Sequence, residues 1–238
     1  MLNDVKLEDV LFLDIETVPQ YPSYSEMPNE FKVFWDKKAS YIIKDDQKPE
    51  DVYQRAGIYA EFGKIICISV GVIVQRKEDK YFRVKSFASE DERLLLTQFS
   101  EMLNKFKERT VLCGHNGREF DFPFIARRLL VNSLPLPEKL DFSGKKPWEV
   151  KILDTMELWK FGDYKHFTSL NLLAYIFNIP TPKDDIDGSQ VAEVFYAEKN
   201  LKRIVDYCEK DALTVAQLLL RYRNEPIIKP ENIERAGD

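Results

Sequence analysis

The chain is expected to fold as an α/β protein, a mixed β-sheet flanked by α-helices. Three observations predict it. Apolar, β-branched runs of strand length recur along the chain. Segments with helical spacing of leucine and phenylalanine separate the later runs. The order is three strands, then helix, strand, helix, strand and helices, which alternates as α/β domains do. At 238 residues and 44% hydrophobic content the chain has material for a sizeable core and fits one domain, residues 1–238.

The first strand is expected over Val10 to Ile15, a compact apolar run bounded by charge before it and Pro19 after it. Residues 20–62 carry Pro22, Pro28 and Pro49 among many charges and aromatics, including Trp35, Tyr41, Tyr53 and Tyr59. A bare loop of that length is rare in a compact domain, so the segment is expected to be an insertion holding one or two short helices, its aromatics filling a local core. Lys64 to Gln75 and Lys80 to Phe87 are β-branched and aromatic, and the charged RKED between them predicts an antiparallel hairpin. Ser89 and Glu92 have capping-box spacing, and Leu94, Leu95, Phe99, Leu103 and Phe106 follow at helical spacing, which predicts a helix over 90–107. A strand over Thr110 to Asn116 ends in Gly114 and Gly117, and a helix with Ile125, Leu129 and Leu130 follows. Beyond a Pro-rich stretch, residues 150–155 suit a short strand. Helices are then expected over 168–178, near Gln190, and over 200–222. No internal repeat or low-complexity tract stands out.

Charge and composition exclude several classes. With 35 basic and 40 acidic residues the formal charge is −5, so no global positive field holds a nucleic acid. The longest near-apolar stretch, Ile65 to Val74, is far short of the ~20 residues a membrane span needs, so no membrane is an expected partner. The charged N-terminus does not resemble a secretory signal, and the cytoplasm is the expected compartment. Cys67, Cys113 and Cys208 lie in apolar settings without a CxxC pair and suit reduced core positions.

Carboxylates occur in three separated places that a sheet-and-helix domain can bring together. Asp14 and Glu16 are two apart at the end of the first strand, so both project on one face. A carboxylate after an apolar run is costly unless paired or bound to a cation, although so short a motif taken alone is more often a solvated strand edge or a helix cap. Asp121 opens an apolar helix, where a capping role would account for it alone. Tyr207 and Asp211 are four apart in the last helix, which stacks phenol and carboxylate on one face, as a buried Tyr to Asp hydrogen bond also would.

Together, LDIET (13–17), HNGREFDFPFIARR (115–128) and YCEKDA (207–212), in this order, resemble the three exonuclease motifs of the DnaQ-like 3′–5′ exonuclease superfamily. They are most similar to its tyrosine-type DEDD group, which includes the proofreading domains of family B DNA polymerases. The resemblance spans Asp14 to Asp211. It implies a ribonuclease H-like fold and hydrolytic removal of nucleotides from a 3′ end. It also implies that Asp14, Glu16, Asp121 and Asp211 bind two Mg²⁺ or Mn²⁺ ions, that Tyr207 orients the attacking water, and that Thr17, Asn116 and Phe120 contact substrate. The histidine type of the family carries its histidine five residues before the last aspartate, where this chain has Asp206, so Tyr207 selects the tyrosine type. Two such ions can offset charge on the attacking and leaving oxygens, and hard cations take oxygen ligands. The expected partner is a single-stranded 3′ end, DNA in preference to RNA, with DNA replication or repair proteins as possible company. An exoribonuclease, or an inert nucleic-acid-binding module on the same fold, is the alternative.

Other residues attract weaker readings. Asp154 ends a strand, where a cap or sheet-end role is expected rather than a fifth metal ligand. The acidic run 184–188 does not fit a calcium loop, since it would place Lys183 first and Val194 last. Cys113 and His115 make a poor zinc site, and His115 is expected to pack or touch substrate. Arg127, Arg128, Lys145, Lys146, Lys199, Lys202 and Arg203 are the basic candidates for phosphate contacts.

Overall fold

In the computed structural model, which describes residues 4–44, 46–146, 148–163, 167–180 and 186–236, six strands form one sheet. They are β1 (Val10–Pro19), β2 (Gly63–Arg76), β3 (Asp79–Ala88), β4 (Val111–Gly114), β5 (Ile152–Asp154) and β6 (Ile233–Arg235), in the spatial order β5-β4-β1-β2-β3-β6. β2 runs antiparallel to β1 and β3, while β1, β4 and β5 are mutually parallel and β6 lies parallel to β3. The mixed α/β sheet predicted from the sequence is present.

Helices cover both faces, and the strand period of two sorts β1 between them. Val10 and Phe12 pack with Val215, Ala216, Leu219 and Leu220 of α7 (Leu201–Tyr222). Leu11, Leu13 and Ile15 pack on the other side with Leu95, Leu96 and Phe99 of α2 (Glu92–Leu103) and Phe122, Ile125 and Leu129 of α3 (Asp121–Val131). The same alternation carries Asp14 and Glu16 to the α7 side.

β1 runs four residues further than predicted. The sequence bounds it at Pro19 and reads strand only to Ile15, but β2 pairs with it along Leu11 to Pro19, and Pro needs no donor at a strand terminus. On its other edge β1 pairs with β4 only at Val10, Leu11 and Phe12, because β4 stops at Gly114. Asp14 and Glu16 therefore lie within a strand that is paired on one side and open on the other.

The helix predicted over 90–107 is shorter, and its start corrects the capping box. Asp91 is the N-cap, accepting from the Leu94 N–H, and Ser89 Oγ accepts from the Asp91 N–H. Glu92 instead turns inward, where the Arg128 guanidinium grips it through Nε at 2.9 Å and Nη2 at 2.6 Å. This buries Arg128 and removes it from the phosphate-contact candidates. Lys202 and Arg203 are paired too, with Asp206 and Glu198.

Between β1 and β2 the chain forms α1 (Asn29–Ala39) and a 3-10 helix at Pro49–Ile58. Trp35 and Tyr53 join Met27, Val52, Ala56 and Phe62 in a separate small core, whereas Tyr41 is exposed. The Arg128 Nη1 donation to the Ala60 carbonyl ties this segment to α3. Smaller helices α4 (Thr155–Lys160), α5 (Leu170–Ile176) and α6 (Val191–Tyr196) complete the fold. β6 was not foreseen, since three residues with two charges leave no period to read. All three cysteines are buried and unbridged, as expected. Lys183 and the start of the acidic run at 184–188 lie outside the described residues. Among those described, no helix is long and apolar enough to cross a membrane.

Candidate active site

The site lies where β4 ends and leaves the edge of β1 open. Without a neighbouring strand there, the Ile15 N–H donates to Asp121 Oδ1 at 3.2 Å. Asp121, the first residue of α3, thus replaces a ladder partner and brings its carboxylate to the strand that holds Asp14 and Glu16. The register of β1 and β2 shifts between Glu16 and Thr17, a bulge of the kind that re-aims side chains beside functional sites. Thr17 follows directly, half-buried.

α7 closes the site from the sheet face. Asn200 caps it by accepting from the Arg203 N–H, and a stripe of Ile204, Cys208, Ala212 and Val215 is buried against the sheet. Tyr207 and Asp211 flank that stripe, and the Tyr207 hydroxyl hydrogen-bonds Asp211. The Cys208 thiol donates to the Asp14 carbonyl at 3.4 Å, fixing the helix on β1. As a result Cys208 Sγ and carboxylate oxygens of Asp14 and Glu16 all lie within 4.8 Å of one another. The sequence marked Cys208 only as core; its place beside Tyr207 and three residues before Asp211 was the available signal.

The electrostatics show that the acids converge. Burial, followed by the charges of Asp211, Glu16 and Asp121, drives the Asp14 carboxyl well above the usual carboxylate range. Glu16 is raised by burial, then by Asp211, Cys67 and Asp121. Asp121 is pushed up to about 7, again chiefly by burial, with the charge of Asp154 next and Asp211 adding to it, against hydrogen bonds from its own N–H and that of Ile15. Tyr207 is raised by burial and by Asp211, Glu16 and Asp14, so its phenol stays protonated and acts as a donor. Asp14 Oδ2 is buried and has no hydrogen-bond partner among the described residues, and the Cys208 thiol offsets the rise of the carboxyl only in small part. An orphaned acceptor in a nest of like charges is an arrangement that divalent cations relieve, and oxygen donors of this type are what hard cations take.

The remaining sequence candidates lie in the β4–α3 loop. Asn116 has φ +61 and a half-buried side chain. Phe120 precedes α3 and is partly buried, its ring 5.5 Å from that of Phe124. His115 makes no zinc site; Nδ1 is 2.9 Å from Thr155 Oγ1 and Nε2 is 2.9 Å from the Thr168 carbonyl. Asp206, at the position of the histidine type, pairs with Lys202 and Arg235 instead. The structure therefore gathers Asp14, Glu16, Asp121, Tyr207 and Asp211 and sets Asn116 and Phe120 on the loop that leads into Asp121.

Residues 58–226 match the model of a family described as predicted 3′–5′ exonucleases related to the exonuclease domain of PolB. The chain belongs to this family. The matched span contains Asp121, Tyr207 and Asp211, while Asp14 and Glu16 precede it. A DNA polymerase of Pyrococcus glycovorans is 26% identical over 189 residues, 71% of this chain and 23% of that polymerase. The structure of the family B DNA polymerase from Pyrobaculum calidifontis covers 90% of this chain and 24% of that one, at 17% identity and a TM-score of 0.50. The chain thus spans about a quarter of either polymerase. The fold is the ribonuclease H-like α/β arrangement of a polymerase exonuclease domain.

Proposed function

We propose that this chain is a divalent-cation-dependent exonuclease of the tyrosine type that shortens single-stranded DNA from its 3′ end. The observation that carries this reading is the convergence of four carboxylates from β1, α3 and α7 around a buried Asp14 Oδ2, with neither a cationic partner for Asp14, Glu16 or Asp121 nor a hydrogen-bond partner for that oxygen among the described residues. Asp14, Glu16, Asp121 and Asp211 would hold two Mg²⁺ or Mn²⁺ ions. When bound, such ions supply compensation for the negative charge that develops on the phosphoryl and departing 3′ oxygens.

The protein's own groups do the rest. Tyr207, held protonated, orients the attacking water by hydrogen bonding and does not take its proton. Thr17, Asn116 and Phe120 receive the terminal nucleotide, and the open edge of β1 gives it access. The whole of residues 1–238 forms one exonuclease domain into which 20–62 are inserted, acting in the cytoplasm beside DNA replication or repair proteins.

The test is incubation of the protein with 5′-labelled single-stranded DNA, single-stranded RNA and a blunt duplex, in Mg²⁺, Mn²⁺ or EDTA. A descending ladder on single-stranded DNA that needs a divalent ion is expected. A ladder on RNA alone would make the protein an exoribonuclease. Cutting of a closed circle, or cleavage undiminished in EDTA, would overturn the reading.

A further inference from the structure

Asp154, the last residue of β5, is almost fully buried and its carboxylate receives four main-chain N–H groups. Two are local: Oδ1 accepts from Met156 at 2.9 Å and Glu157 at 3.2 Å, the N-cap of α4. The other two reach back 38 and 36 residues. Asn116 donates to Oδ1 at 3.0 Å and Arg118 donates to Oδ2 at 3.0 Å. Capping a six-residue helix needs only the local pair, so the distant pair needs another reason.

That reason lies in Asn116. It holds φ +61, in the left-handed region that asparagine enters more readily than most residues with a side chain. Its carbonyl accepts from the Glu119 and Phe120 N–H groups at 3.1 and 3.0 Å, and its own N–H is spent on Asp154. Only its side-chain amide is left, and Asn116 Oδ1 is buried with no partner among the described residues. The half-buried amide is the part of Asn116 that the backbone bonds leave over for a ligand. The backbone behind it is over-determined. The Phe122 N–H donates to the Gly117 carbonyl, His115 bridges to Thr155 and Thr168, and a side chain at Gly114 would meet the Gly117 Cα at 3.2 Å.

We propose that Asp154 is a positioning residue, whose carboxylate holds the 115–120 loop so that the Asn116 amide is presented to the terminal nucleotide of the strand beside Asp121. This rests on the nuclease reading above and adds to it the residue that sets the substrate contact. Asp154 ends β5, the strand that pairs with β4. Its effect passes through Asn116.

The test measures kcat and KM on 5′-labelled single-stranded DNA at saturating Mg²⁺, together with oligonucleotide binding by fluorescence anisotropy in EDTA, for wild type, Asp154→Ser, Asp154→Asn, Asn116→Ala and Asp154→Ser with Asn116→Ala. Serine still caps α4 but is too short to hold the loop as well. Asp154→Ser and Asn116→Ala are each expected to raise KM and weaken binding about tenfold with kcat within about threefold, and the double variant to be no worse than either. Asp154→Asn, which keeps Oδ1 and loses the Arg118 bond, should fall between. Wild-type KM in the Asp154 variants, additive losses in the double variant, or a fall in kcat at constant KM would each overturn the proposal. So would failure of both Asp154 variants to fold, which would make Asp154 a residue of the fold alone. If wild type degrades no strand at all, the nuclease reading fails and this inference falls with it. If wild type degrades DNA and the variants match it, only the inference falls.

Discussion

Two buried acidic places in this domain are built in opposite ways. Glu92 is answered on every side: Arg128 binds both of its oxygens, the Ile65 N–H donates to Oε1 at 2.7 Å, and Asn132 Nδ2 donates to Oε2 at 2.9 Å. Asp14 and Glu16 lie across the sheet from it, where nearby charge comes from Asp121 and Asp211 and Asp14 Oδ2 has no partner among the described residues. A buried charge is tolerated when paired and hydrogen-bonded, and otherwise shifts its pKa or recruits a cation. The first place therefore holds elements together, joining α2, α3, β2 and the 20–62 segment, while the second stores repulsion that a ligand can release.

The strongest way to break this contrast is to neutralise each place in turn. Asp14→Asn is expected to lower kcat by about 10³-fold or more, since a cation ligand is lost, while leaving the fold intact. Its melting temperature in EDTA at pH 7.5 should equal or exceed that of wild type, because one repelling charge has gone. A stable variant with wild-type turnover would remove Asp14 from the site.

Arg128→Met should do the reverse. Stranding Glu92 without its partner is expected to cost about 3–5 kcal/mol. Melting should then fall by about 2–4 °C for each kcal/mol, with kcat of the folded fraction nearly unchanged. Thermal unfolding followed by circular dichroism checks this. A melting point within a degree of wild type would show that the ion pair does not hold the domain.

Tyr207→Phe sharpens the contrast within the acidic site. Loss of one positioned hydrogen bond to the water is expected to lower kcat about 10–1000-fold, with much smaller changes in cation and DNA affinity. If the hydroxyl only braces Asp211, saturating Mn²⁺ should restore the rate and about 1–2 kcal/mol of stability should be lost instead.

The smallest effect concerns pH. The raised carboxylates make the folded state bind more protons than the unfolded chain between their ordinary and raised values. Their contribution to stability is therefore present at low pH and is lost as pH rises through the folded value. For Asp121 the window runs from 3.8 to about 7. In EDTA, wild type should lose more stability than Asp121→Asn between pH 5 and pH 7.5, and Mg²⁺ should abolish the difference. Asparagine keeps the acceptor for the Ile15 N–H, so the comparison isolates charge. Parallel melting curves in EDTA would show that Asp121 carries no excess proton.

What the sequence determined by itself was whatever depends on local period. Alternation along Val10, Phe12, Asp14 and Glu16 put both acids on one face of a strand, and a spacing of four put Tyr207 and Asp211 together on α7, because backbone geometry alone dictates both. The order of strands and helices followed from the same periods. Tertiary structure decided what meets across the chain. It chose Asp91 over Ser89 as the cap by drawing Glu92 36 residues away to Arg128, and it placed Asp121 on the Ile15 N–H, 106 residues distant, once β4 stopped short. It added β6 through pairing with β3, and it brought Cys208 to Asp14 across 194 residues. It also made Asp154, the cap of α4, the anchor of a distant loop as well. Such contacts depend on where neighbouring strands end and which buried groups lack a partner, and those are properties of the packed whole that no local period encodes.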